Sequence, residues 1–125
     1  MANYHVEISR CNKELTAKEK IMLKDTGDAV SLDSVTQEGN LIIFPVLYAE
    51  LAVHNEKSAN KDYSQYVIID ADNVKYVTSS QSFWNSFIGI AEEMADADEE
   101  DYAIKIYRRP SKNYTGKDFI TCSLA

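Results

Sequence analysis

Residues 47–54 alternate cleanly. In an extended chain Leu47, Ala49, Leu51 and Val53 fall on one side and Tyr48, Glu50, Ala52 and His54 on the other. The surrounding segment, LIIFPVLYAELAVHN, is rich in β-branched and aromatic residues and predicts a half-buried strand, with Pro45 marking a bulge or break. YSQYVIID and VKYVTSS, separated by Ala-Asp-Asn, predict a hairpin around a tight Asp-Asn turn. The period then changes. Phe83, Trp84, Phe87, Ile88, Ala91 and Met94 recur at three- and four-residue steps, so a helix is expected from an N-cap at Ser79 or Ser80. Acids crowd the far end of that helix and oppose its dipole, so the last turns are expected to fray. YAIKIYRR and KDFITCSLA alternate again and predict a closing hairpin with a long tip.

The first 40 residues are less regular. YHVEISR alternates weakly and reads as a strand. Thr16 and Glu19 have the spacing of a capping box, which favours a helix. Ile21, Met22 and Leu23 are contiguous, which suits a buried strand, and a strand over Lys20 to Asp25 is the preferred reading. Residues 31–40 read as a turn or a short helical piece. No repeat or linker interrupts the chain, so residues 1–125 form one expected domain. Strands, then one helix after the central hairpin, then two strands is the order of an OB-fold: a mostly β, five-stranded Greek-key barrel with its helix between strands three and four. A sandwich or a β-roll shares parts of that order.

Charge adds a local feature. The formal net charge is −7, but residues 92–101, EEMADADEED, hold seven acids and no base; the other 13 acids face 13 bases. The acidity is a single block, and basic segments elsewhere remain able to attract phosphate because salt screens charge beyond about 8 Å. No apolar run approaches the ~20 residues of a membrane span, and the N-terminus lacks the pattern of a secretory leader. Cys11 and Cys122, far apart in sequence, read as reduced thiols in a cytosolic protein. With two histidines, neither at metal-ligand spacing, and no phosphate-binding glycine motif, the chain is expected to be non-enzymatic, without metal or cofactor.

The segment YRRPSKNYTGKDF, residues 107–119, stands out. Single-stranded DNA asks a protein for cations along its phosphates and ring faces under its bases. Arg108, Arg109, Lys112 and Lys117 suit the first need, and Tyr107 and Tyr114 the second. In an OB-fold this stretch is the loop between strands four and five, a usual wall of the nucleic-acid groove. A solvated hairpin tip is the plain alternative. Tyr48, Lys57, Tyr63 and Tyr76 are candidates to extend the same face, whereas Phe83, Trp84 and Phe87 are assigned to the core.

The hairpin YVIIDADNVKYVTSS, the helix SFWNSFIGIAEEM and the ending YAIKIYRRPSKNYTGKDFITCSL together resemble the small single-stranded DNA-binding proteins of tailed bacteriophages and related mobile elements, over roughly residues 41–125. The resemblance implies an OB-fold that coats single strands in phage DNA replication or recombination, in the cytoplasm of a bacterial host cell. Carried over by position, the contacts are Tyr107, Arg109, Lys112, Tyr114 and Lys117, then Tyr48, Lys57, Tyr63 and Tyr76. Replication or recombination proteins are implied partners, and a barrel edge strand offers a route to a homodimer. Bacterial relatives end in an acidic recruiting tail; this chain ends in ITCSLA and carries its acids internally. The rival reading is a phage-encoded inhibitor of a host enzyme that docks through acidic residues 92–101.

Overall fold

A computed structural model describes residues 4–12, 14–25, 27–57, 62–99, 101–110 and 118–125. Its elements run β1 (Tyr4–Cys11), α1 (Ala17–Lys24), β2 (Val30–Ser31), α2 (Leu32–Val35), β3 (Leu41–Ile43), β4 (Pro45–Asn55), β5 (Asp62–Asp70), β6 (Lys75–Thr78), α3 (Gln81–Asp96), β7 (Ile104–Pro110) and β8 (Asp118–Leu124). They form two open sheets: a five-stranded sheet in the order β1-β4-β5-β6-β2 and a three-stranded sheet in the order β3-β7-β8.

This architecture overturns the expected five-stranded barrel. Among the described residues the fold is mixed α/β, with eight strands and three helices, and neither sheet closes. The decisive place is Pro45. The apolar run from Leu41 to Asn55 is one extended path, but Pro45 has no N–H to give a ladder. The chain leaves the small sheet at Ile43, passes Phe44, whose carbonyl accepts from Ala71 N–H, and enters the large sheet with a register shift between Pro45 and Leu47. The closing hairpin β7–β8 then pairs with β3 rather than closing a barrel on β1.

Two cores follow. The larger lies where α3 packs between the sheets. Phe83, Trp84, Phe87 and Ala91 bury one stripe of α3 against Tyr66, Ile68 and Tyr76 of the large sheet and Ile43, Ile104, Ile106, Ile120 and Cys122 of the small one. The smaller lies on the reverse of the large sheet. There Leu47, Ala49, Leu51 and Val53, the predicted inward row of β4, meet Val67, Ile69 and Leu23 of α1.

The preferred strand at Lys20–Asp25 is instead α1. The capping box wins: the Thr16 hydroxyl accepts from Glu19 N–H, and the Glu19 carboxylate accepts from Thr16 N–H. Only Leu23 of the apolar trio is buried; Ile21 and Met22 face solvent. The far end of α1 is held by Lys75, whose Nζ donates to the Met22 and Asp25 carbonyls at 2.5 and 2.6 Å.

The expected fraying of α3 is also corrected. Ser80 caps its start by accepting from Phe83 N–H. At its end Asp98 takes a left-handed conformation, φ 56°. Its N–H reaches the Ala95 carbonyl, and Glu99 N–H reaches that of Met94. This is a Schellman closure with an acid where glycine is usual. The central hairpin turns similarly through Asn73 at φ 64°, with Asp70 Oδ1 accepting from Asp72 and Val74 N–H.

Candidate nucleic-acid interface

Strand alternation sorts the β7–β8 hairpin into two faces. Ile104, Ile106 and Arg108 share the inward face with Ile120 and Cys122; Lys105, Tyr107 and Arg109 share the outward one with Phe119, Thr121 and Ser123. The inward isoleucines are sealed under α3. On the outward face every described side chain but Thr121 is exposed or half-buried. Phe119 and Arg109 are both exposed and stand directly opposite one another, and Tyr107, half-buried, is the diagonal neighbour of Phe119. The Lys105 ammonium lies 5.5 Å from the centre of the Tyr107 ring. Ile42 of β3, opposite Lys105, completes the strip. Thr121 alone is covered, its hydroxyl donating to Ser86 where α3 runs along β8.

The strip therefore offers two cations and two rings within about 13 Å of strand, and no acid points from it among the described residues. Cations beside ring faces are the pairing a single nucleic-acid strand uses. The acidic block lies elsewhere, at the end of α3 and in the connection to β7. Its described acids are all exposed, and Glu92 is ion-paired with Arg10 of β1.

The predicted contacts separate on this framework. Tyr107 and Arg109 come together on the outward face. Arg108 does not: it points inward, Nε donating to the Thr36 hydroxyl at 3.2 Å and Nη2 to the Asp33 carbonyl at 2.6 Å. Tyr48 packs edge-on against Phe87 and Trp84, ring centres 4.8 and 6.4 Å away, and burial raises its phenol pKa. Tyr76 is only 8% exposed, and burial, then Asp70, raises its pKa too. Both rings are occupied by the core. Tyr63 leans on the smaller core, and Lys57 lies exposed in the turn after β4, away from the small sheet. Lys112, Tyr114 and Lys117 lie outside the described residues. Trp84 stacks on Tyr66 inside the core.

Sequence reasoning passed over Lys105, Phe119 and Ile42 on this face. The signal was the parity of IKIYRR: every second residue after Ile104 faces inward, which places Arg108 with the isoleucines and Lys105 with Tyr107 and Arg109.

A second polar cluster sits on the rim of the large sheet. His54 lies between two carboxylates, Nδ1 2.7 Å from Asp62 and Nε2 2.7 Å from Glu56, and these bonds raise its pKa. His5 stands opposite His54 across the β1–β4 pair and holds Glu7 at 3.0 Å. Among the described residues, no three His, Cys, Asp or Glu side chains are arranged to hold a metal ion. Both thiols are free; burial pushes the Cys122 thiol up to about 12. No helix among the described residues is long and apolar enough to cross a membrane.

No family model, curated protein or solved structure matches the chain.

Proposed function

We propose that this protein binds single-stranded nucleic acid, without enzymatic activity, through the outward face of its three-stranded sheet. The observation that carries the reading is the juxtaposition of Arg109, Phe119, Tyr107 and Lys105 on one open sheet face from which no acid points among the described residues. Phe119 and Tyr107 supply ring faces for bases, and Arg109 and Lys105 supply cations for phosphates. The setting proposed with it is coating of single-stranded DNA in phage or mobile-element replication or recombination. The platform is an open sheet, so the groove between barrel loops that the resemblance implied has no part in it. A labelled oligothymidine, titrated beside its duplex at low and moderate salt, tests the reading. Salt-sensitive binding to the single strand with much weaker binding to the duplex is expected; no binding to the single strand at low salt would overturn it.

One observation favours a second reading, a protein-docking module. The Schellman closure holds the acidic end of α3 in a fixed conformation, so Glu93, Asp96, Asp98 and Glu99 form a defined surface. Neutralising these acids would abolish partner binding under that reading and leave or improve nucleic-acid binding under the first.

A further inference from the structure

We propose that β3 is the site of self-association: two copies of the chain pair antiparallel through their β3 edges and join their small sheets into one six-stranded sheet.

The other sheet edges are guarded. β1 carries His5, Glu7 and Arg10, with a register irregularity between Ile8 and Arg10. β2 is two residues long, and β8 is flanked by α3. Charge, irregularity, shortness and cover are the usual ways a sheet avoids edge-to-edge pairing. β3 is short as well, at three residues, but it carries no charge and no register irregularity. Leu41, Ile42 and Ile43 pair with β7 on one side, and their other side has no strand partner among the described residues. The segment contains no charge, no glycine and no proline until Pro45.

The side chains point to the same conclusion. From Ile42 to Leu47 burial alternates: Ile43, Pro45 and Leu47 are buried, while Ile42, Phe44 and Val46 remain 59%, 54% and 55% exposed. Met22 adjoins this row, lining one groove with Val46. At these exposures the four side chains present roughly 450 Å² of mostly apolar surface, over half of the ~800 Å² each partner gives to a standard interface. The strand backbone and its flanks can supply the remainder. A second copy is the occupant that fits. A two-fold axis through an uncharged strand is self-complementary, because each row meets its own image. For a chain of net charge −7, the copies attract best where neither carries charge. The contact leaves Tyr107, Arg109 and Phe119 of each copy uncovered, and it stands whether or not the sheet binds nucleic acid.

Sedimentation of the full chain from micromolar to submillimolar concentration tests this, with Ile42→Lys, Phe44→Glu and, as a control, Leu124→Lys. Leu124 is an exposed apolar residue on β8, at the opposite edge of the small sheet from β3. The wild type and the control are expected to reach twice the 14.1 kDa chain mass, while Ile42→Lys and Phe44→Glu stay at 14.1 kDa with unchanged circular dichroism. If one edge variant fails to fold, the other decides. A wild type that remains monomeric throughout would overturn the proposal and leave the edge to a foreign strand. So would folded edge variants that dimerise like the wild type.

Discussion

The two faces of the small sheet are built from the same two strands and do opposite things. On the inward face Ile104, Ile106, Ile120 and Cys122 are sealed beneath α3, and even the charged member, Arg108, spends its donors on Thr36 and Asp33. On the outward face the same alternation presents Lys105, Tyr107, Arg109 and Phe119, with Lys105 over a ring and no acid beside it among the described residues. Adjacent arginines thus play different parts in the molecule. Arg108 is structural because its parity aims it at backbone and hydroxyl acceptors. Arg109 is free to meet a ligand because the same parity turns it away. Composition alone treats them as one basic pair.

The contrast predicts separable effects. The largest belongs to the inward side. Phe87→Ala empties the centre of the aromatic cluster formed with Tyr48, Phe83 and Trp84, and should cost about 3–5 kcal/mol in denaturant unfolding. Loss of nucleic-acid affinity in that variant should track the unfolded fraction. Next comes the outward ring. Phe119→Ala should weaken oligothymidine binding by about 5- to 150-fold, the worth of one stacked base, while unfolding shifts by no more than about 1–2 kcal/mol. A stability loss as large as that of Phe87→Ala would show that Phe119 belongs to the core, and the contrast between faces would collapse.

A smaller effect tests the helix that seats the inward face. Asp98 is a left-handed acid at the negative end of α3, so Asp98→Gly removes both backbone strain and a repulsive charge. It should stabilise by about 0.5–1 kcal/mol, read as a rise of a few degrees in Tm. An unchanged or lowered Tm would mean that the closure imposes no strain. The smallest effect lies on the remote rim. Asp62 and Glu56 raise the pKa of His54, so the folded state favours the imidazolium. The stability it adds is fully present below the unfolded histidine pKa and is lost as pH rises through the raised folded value. An NMR titration should place the His54 midpoint above that of an ordinary histidine, and Asp62→Asn should lower it. Nucleic-acid binding should not follow that titration except through overall charge.

Legibility in the sequence followed the physics of each segment. β4 and α3 were readable because one face of each is the more deeply buried, so the period survives in the residues; the central hairpin, buried on both faces over residues 66–70, was readable from its β-branched run and its Asp-Asn turn. α1 was misread because a contiguous Ile-Met-Leu weighs more in a periodicity count than a capping box, yet the two hydrogen bonds of the box set the local backbone. The barrel was misread for a different reason. Pro45 was recognised as a break, but whether a broken strand bulges within one sheet or changes sheets depends on long-range pairing of β3 with β7, 63 residues apart at Ile42 and Lys105. Within the candidate site, Tyr107 and Arg109 were legible as chemistry. Tyr48 and Tyr76 were not separable from them, since a tyrosine at a strand position suits a half-buried platform and a core equally well.

The most direct test compares the neighbouring arginines. Oligothymidine affinity is measured against salt concentration for the wild type, Arg108→Ala and Arg109→Ala, under conditions where all three are folded. Arg109→Ala should bind more weakly and lose about 0.7 from the slope of log affinity against log salt, the share of one phosphate contact on a single strand. Arg108→Ala should unfold more easily but keep the wild-type slope. Equal slopes for all three proteins, or a slope reduced only in Arg108→Ala, would contradict the assignment of binding to the outward face.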